Sequence, residues 1–359
     1  LPWGIKIIKH NIEIIKGTNL SDYLYVLNNK QDTIYGNAGD DMIFGSNDDK
    51  LYGDAGADTI EFKLASDKSG VLDGGTGVDD LIIMNDVNTE EIYANLNTNK
   101  VKLGVGGTES IISSIDNLTF KSTKDIVNEK AGVSNKILLG DNDDLLIIDT
   151  ATSGGDILNG ESGDDTIKLD YTSQTGITKV DYLNNKIVQY DVGNTEITSS
   201  VISNFETVIG SNFNDWLTTS TLVKNTFNAG AGNDKVEYNY SSEVKVGNVI
   251  DSMEGGNNNT LDLNDNINRY GDLFINNHTD FKTKIDVLNG KIYIDLNNNQ
   301  SFETNEQVST ISGFETIQGM GVETIIDGND TMKYNLGSGN DIIYINKGDD
   351  KIDTGVGAD

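Results

Sequence analysis

The chain has 359 residues with 39 glycines, one proline and no cysteine, and its 57 acidic against 26 basic residues leave a formal net charge of −31. That charge repels nucleic acid and anionic lipid, excludes both as expected partners, and leaves a compact state self-repelling unless cations screen it. Without cysteine there are no disulfides or thiolate metal sites, and the two histidines, His10 and His278, lie far apart in sequence.

In chain order, residues 1–16 begin without an initiator Met or a signal-peptide layout, and the apolar run Ile5 to Ile15 is expected to cap an open end. A first block, 17–82, then repeats a nine-residue phrase. Gly36-Asn-Ala-Gly-Asp-Asp41-Met-Ile43-Phe44 fits G-x-x-G-x-D-x-U-x, with U a large aliphatic residue. Gly53-Asp-Ala-Gly-Ala-Asp58-Thr-Ile60-Glu61 and Gly74-Gly-Thr-Gly-Val-Asp79-Asp-Leu81-Ile82 fit it again. A second block, 137–169, holds Gly160-Glu-Ser-Gly-Asp-Asp165-Thr-Ile167, and a degraded third, 210–262, holds Ala229-Gly-Ala-Gly-Asn-Asp234-Lys-Val236. The fourth, 317–359, holds Leu336-Gly-Ser-Gly-Asn-Asp341-Ile-Ile343 and stops inside a unit at Asp359, so the chain is expected to be a fragment. Eight-residue variants recur as Gly45-Ser-Asn-Asp-Asp49-Lys-Leu51 and Gly140-Asp-Asn-Asp-Asp144-Leu-Leu146.

These phrases resemble the nonapeptide repeats of RTX proteins, which implies a parallel β-roll that binds several Ca²⁺ ions. Elementary physics points the same way. Gly, Asp and Asn supply the positive φ angles of a tight turn. The x-U-x that follows is a short strand with one aliphatic side chain turned inward. Two units make a coil, and coils stack as parallel strands about 4.8 Å apart. The expected fold is all-β, a right-handed parallel β-roll. Because consecutive units alternate sides, ligands come from units n and n+2. That pairs Asp41 with Asp58, Asp32 with Asp49, Asp341 with Asp359 and Asp330 with Asp350. Oxygen-only ligands favour Ca²⁺ over zinc or copper.

Between the blocks lie spacers, 83–136, 170–209 and 263–316, whose alternating polarity reads as strands joined by Asn-rich turns. They close on related phrases, Ile115-Asp-Asn-Leu-Thr, Ile202-Ser-Asn-Phe-Glu-Thr-Val and Ile311-Ser-Gly-Phe-Glu-Thr-Ile, so block plus spacer is itself a repeat. The last spacer also places oxygens at positions 1, 3, 5, 7, 9 and 12 of Asp295-Leu-Asn297-Asn-Asn299-Gln-Ser301-Phe-Glu303-Thr-Asn-Glu306. That is the spacing of an EF-hand loop, although Gln300 stands where Gly is usual, and an Asn-rich turn is an equal alternative.

The candidate calcium ligands in the first block are Asp32, Asp41, Asp49, Asp58 and Asp79, with Gly36, Gly39, Gly53, Gly56, Gly74 and Gly77 in the turns. Asp144, Asp156, Gly160 and Asp165 follow in the second block, then Asp215 and Asp234 in the third. Asp295, Asn297, Asn299 and Glu306 belong to the EF-hand-like loop, and Asp330, Asp341, Asp350 and Asp359 to the fourth block. No H-E-x-x-H or G-x-S-x-G motif is present, and adjacent acids such as Asp40-Asp41 belong to the repeat, so no enzyme is expected. Trp3, Trp216 and the tyrosines are too scattered for a sugar-binding face and read as strand packing.

The alternation of blocks and spacers resembles the RTX regions of bacterial surface-layer proteins and large adhesins. The resemblance implies a secreted structural module at the cell surface that calcium folds and that self-associates into a lattice or contacts an extracellular matrix. The alternatives are the calcium-rigidified stalk or ligand-binding segment of an adhesin, and the calcium-binding tail of a secreted toxin or hydrolase.

Overall fold

The computed structural model describes residues 6–9, 13–26, 30–85, 90–121, 123–130, 133–148, 154–174, 176–219, 225–239, 251–254, 260–264, 282–295, 299, 301–302, 307–312, 314–318, 322–326, 328, 331–336 and 340–359. Among these there are strands and turns and no helix. Contacts divide the chain into two units, Leu1–Ile167 with Thr198–Phe205, and Lys168–Ile197 with Glu206–Asp359.

In the first unit the chain winds between two parallel sheets. Each turn is followed by a strand of a few residues, one of which the D-x-U phrase aims inward. On one sheet Leu24, Ile43, Ile60, Leu81, Leu118, Ile137, Leu158 and Ile202 stand in register on successive strands. All eight are at most 2% exposed. On the other sheet Ile15, Ile34, Leu51, Leu72 and Ile112 do the same. Two facing aliphatic ladders therefore line the core, to which neighbouring strand residues such as Phe62, Ile83 and Phe120 add, and the polar turns fall at the rim. Each fully buried aliphatic side chain contributes about 1.5–3 kcal/mol of transfer free energy.

The described stretches of the first sixteen residues pair with the coil that follows. Lys6–Lys9 pairs parallel with Tyr23–Val26 and Ile14–Lys16 with Thr33–Tyr35, so the segment expected to close the end forms the first coil of the stack.

The spacers continue the coil and add a hairpin to it. In the first unit Ser110–Ser113 runs parallel to Val71–Asp73, and Ile92–Asn95 runs parallel to Asp125–Asn128. Between them Lys100–Leu103 pairs antiparallel with both neighbours, splicing an antiparallel step into a parallel sheet. The second unit repeats the device with Ile177–Asp181 and Lys186–Tyr190, and again with Lys282–Asp286 and Lys291–Ile294. These last two inserts lie in different sheets.

The three turns share one chemistry. Asn95, Asp181 and Asp286 each accept a backbone N–H from three residues on, at 3.0, 3.1 and 3.0 Å. The left-handed positions fall to Asn99, Asn185 and Gly290, residue types that tolerate positive φ. Elsewhere in the second unit Val180, Leu217 and Val236 stand buried in register on successive strands, as do Ile317 and Tyr334.

Candidate metal centres

The turn over Gly36 shows how the repeat builds a cation cradle. Its second and fourth residues are left-handed, with φ 76° at Asn37 and 112° at Gly39, which folds the backbone sharply enough to return to the sheet. The first glycine is needed for space. A Cβ on Gly36 would lie 2.6 Å from the Gly53 carbonyl of the next coil and against Asp41 Oδ2. Gly53 is walled in the same way by the Gly74 carbonyl and Asp58 Oδ2, Gly74 by the Ser114 carbonyl and Asp79 Oδ2, and Gly160 by the Asn204 carbonyl and Asp165 Oδ2. Gly56 and Gly77, with φ 150° and 148°, press directly on the carbonyls of Gly39 and Gly56.

The sixth-position aspartates stack into columns. The backbone N–H of Asp22 donates to Asp41 Oδ1 at 2.7 Å, that of Asp41 to Asp58 at 2.8 Å, and that of Asp58 to Asp79 at 2.9 Å. The opposite end carries Asp32 on Asp49 at 2.8 Å. Asp144 rests on Asp165 at 2.8 Å, Asp215 on Asp234 at 2.9 Å, and Asp341 on Asp359 at 3.1 Å. At these positions units n and n+2 thus stack on one another.

The fifth position, which the sequence reading left without a role, bonds the other way. Asp40 Oδ1 accepts the N–H of Ala57 and Asp143 Oδ1 that of Asp164, each in the following coil. Adjacent acids are therefore clamps to the coils above and below.

One oxygen of each sixth-position pair is thereby satisfied. The second oxygen of Asp41, Asp58, Asp79, Asp144 and Asp350, and Oδ1 of Asp215, is buried with no hydrogen-bond donor. Opposed acceptors without a donor are costly at low dielectric, and the donor set here is carboxylate plus backbone carbonyl. Among the described residues no three acidic or histidine side chains surround one point. A cation held in these cradles would thus take one carboxylate from a unit and complete its shell from carbonyls and water. Such a set fits a hard ion of calcium's size.

Several predicted positions differ. Both oxygens of Asp156 are used by protein donors, the Asn135 N–H at 2.9 Å and Ser200 Oγ at 2.7 Å. Asp49 is likewise held by the N–H groups of Asp32 and Ser46, both at 2.8 Å. Each of these two carboxylates thus has a protein donor on both oxygens. Asp350 accepts the N–H of Met332 at 2.8 Å, which puts it in register with Met332 and not with Asp330; Asp330 itself lies outside the described residues.

In the EF-hand-like loop Asp295 is buried and Asn299 donates its N–H to it at 3.1 Å, while Asn297 and Glu306 lie outside the described residues. The strand Gln307–Ser312 follows this loop. Asp22 and Asp125 were missed because the turn before Asp22 has Gly17 but Leu20 at the fourth position and the turn before Asp125 has neither glycine, yet each precedes a buried aliphatic in the same D-x-U phrase, Leu24 and Val127. Trp216 offers no open sugar platform. Its ring lies 4.2 Å from Lys179 Nζ and 4.5 Å from Lys235 Nζ, and its indole N–H donates to Glu237 at 2.9 Å.

Burial dominates the acid–base chemistry of the cradles. It pushes the carboxyl of Asp41 up to about 7, Asp58 to about 6, Asp144 to about 8 and Asp215 to about 7, with neighbouring carboxylates adding to the rise. Folded-state values above the unfolded value of 3.8 mean that the cation-free fold binds extra protons. That stabilisation is present in full below 3.8 and is lost as pH rises through 6 to 8. In chelator, the β signal in circular dichroism is therefore expected to grow as pH falls from about 8 to about 5. With calcium present the dependence reverses, because protons then compete with the ion. A chelated chain that loses β structure over the same descent would contradict the burial of these carboxylates.

The family model of the RTX calcium-binding nonapeptide repeat, four copies long, matches residues 28–48, 150–170 and 327–359. No curated protein matches the chain. The matched stretches fall in the first, second and fourth blocks and include Asp32, Asp41, Asp165, Asp341 and Asp350. This repeat binds calcium ions, several in successive copies.

Proposed function

We propose that this chain, which carries RTX calcium-binding nonapeptide repeats, is a calcium-folded structural module of a bacterial surface layer. The repeats make it a calcium-binding module of a secreted bacterial protein, and no helix among the described residues is long and apolar enough to cross a membrane. The observation that carries the proposal is the set of buried, donorless carboxylate oxygens facing backbone carbonyls across stacked coils. Outside the cell calcium fills such cradles; in a calcium-poor cytosol they stay empty and the chain remains unfolded for export. Assembly is supported by the inserts, which present exposed aliphatic residues: Val105 at 76%, Val192 at 88% and Leu288 at 48%. The paired acids belong to inter-coil hydrogen bonds, which supports a role without catalysis.

Electron microscopy of the chain in about 10 mM Ca²⁺, well above the ~10⁻⁴–10⁻³ M affinity of extracellular sites, tests the lattice. Ordered sheets that disperse on chelation are expected. Isolated rods under the same conditions would replace the surface layer with an adhesin stalk or a calcium-binding tail.

A further inference from the structure

We propose a further calcium site at the root of the first hairpin insert, where Asn85 and Thr123 meet Asp125. The inference rests on the calcium reading above but adds Asn85 and Thr123, which no repeat supplies, to an aspartate whose D-x-U phrase lacks the turn glycines. Phe120-Lys-Ser-Thr-Lys-Asp125 contains none of the glycines of the phrase.

Asn85 ends the strand before the insert, and Asp125 begins the strand that receives it. Asn85 Nδ2 donates to the Glu90 carbonyl at 3.0 Å and to Thr123 Oγ1 at 3.5 Å, which fixes the amide and leaves its oxygen facing inward. Thr123 Oγ1 donates to Asp125 Oδ1 at 3.1 Å, while the N–H of Ile92 goes to the Lys124 carbonyl at 3.3 Å. After these bonds Asn85 Oδ1 and Asp125 Oδ2 remain, both buried and both without a donor. Asp125 is 0% exposed, Thr123 4% and Asn85 8%. The cation nearest in sequence, Lys124, is turned to the surface, 3.6 Å from Glu91 Oε1.

A carboxylate, an amide carbonyl and a hydroxyl gathered out of water are oxygen donors only, which is calcium's chemistry rather than zinc's. The second insert sets similar groups beside the repeat aspartate Asp215. Gln174 Nε2 donates to Thr178 Oγ1 at 3.0 Å, Thr178 is the cross-strand partner of Asp215, and Gln174 Oε1 and Asp215 Oδ1 lack donors. Each insert interrupts a column of turns, and an ion at its root replaces the contact that the next glycine turn would have made.

The test is equilibrium dialysis of the full chain against radioactive calcium, with melting followed in calcium and in chelator. Asp125→Asn is expected to bind one ion fewer per chain than the parent. Its melting temperature should fall in calcium and hold or rise in chelator, where a buried uncompensated charge has gone. An unchanged ion count in a folded variant, or an equal loss of melting temperature in both media, would overturn the site. If Asp125→Asn does not fold, Asn85→Ser is expected to weaken one ion at least several-fold, and parental affinity for every ion would overturn it equally. A parent chain that binds no calcium would instead overturn the calcium reading itself.

Discussion

Ile60→Ala is expected to cost about 2–5 kcal/mol of stability, and added calcium will not recover it. Ile60 is fully buried between Ile43 and Leu81 in a core only two ladders wide, so the cavity has little surrounding structure to collapse into it. Asp58→Asn, two residues earlier on the same turn, acts by another route. The amide oxygen can still accept the Asp41 N–H, now at 2.8 Å, but the donorless second oxygen is replaced by an uncharged group. The site loses the anionic charge that calcium needs, and the midpoint of calcium-induced folding moves to higher concentration. Raising calcium well above its normal level should rescue Asp58→Asn and leave Ile60→Ala unaltered. Chemical denaturation of both variants across a calcium series reads this out. An identical calcium response in the two would mean that the sixth position is not a ligand or the eighth is not core.

Much of this architecture was legible because the repeat states its geometry locally. The D-x-U phrase points Ile43, Ile60 and Leu81 inward, since a short strand that follows a fixed turn has only one orientation that buries its first aliphatic. The unit spacing likewise put Asp41 on Asp58 rather than on Asp49. The spacers were legible as strands but not as inserts. Alternation in Ile92–Asn95 and Lys100–Leu103 gives a half-buried strand without saying which neighbour it joins or in which direction. The antiparallel step arises from the short Asn-rich turn, whose consequence for the stack is set by strands distant in sequence. Competition between side chains was not legible. Nothing in the phrase around Asp156 announces that Ser200, 44 residues on, will occupy its second oxygen. Nor does the phrase announce that Met332 will stand opposite Asp350, which follows from the strand pairing of Lys333 with Lys351.

Removing calcium should have the largest effect of all. An ion that binds the native cradle and not the unfolded chain stabilises by about 2.7 kcal/mol per site at a hundredfold excess over its dissociation constant. Several cradles add, and a domain's whole margin is only about 5–15 kcal/mol. Without the ion the buried carboxylates of Asp41, Asp58, Asp79 and Asp144 face carbonyls uncompensated, and a net charge of −31 opposes compaction. The most direct test of the account is a calcium titration of the full chain at neutral pH, followed by far-ultraviolet circular dichroism. The account predicts little β signal in chelator and cooperative growth to a parallel-sheet spectrum near ~10⁻⁴–10⁻³ M Ca²⁺, with magnesium a poor substitute. A full β spectrum and an unchanged melting temperature in chelator would contradict it.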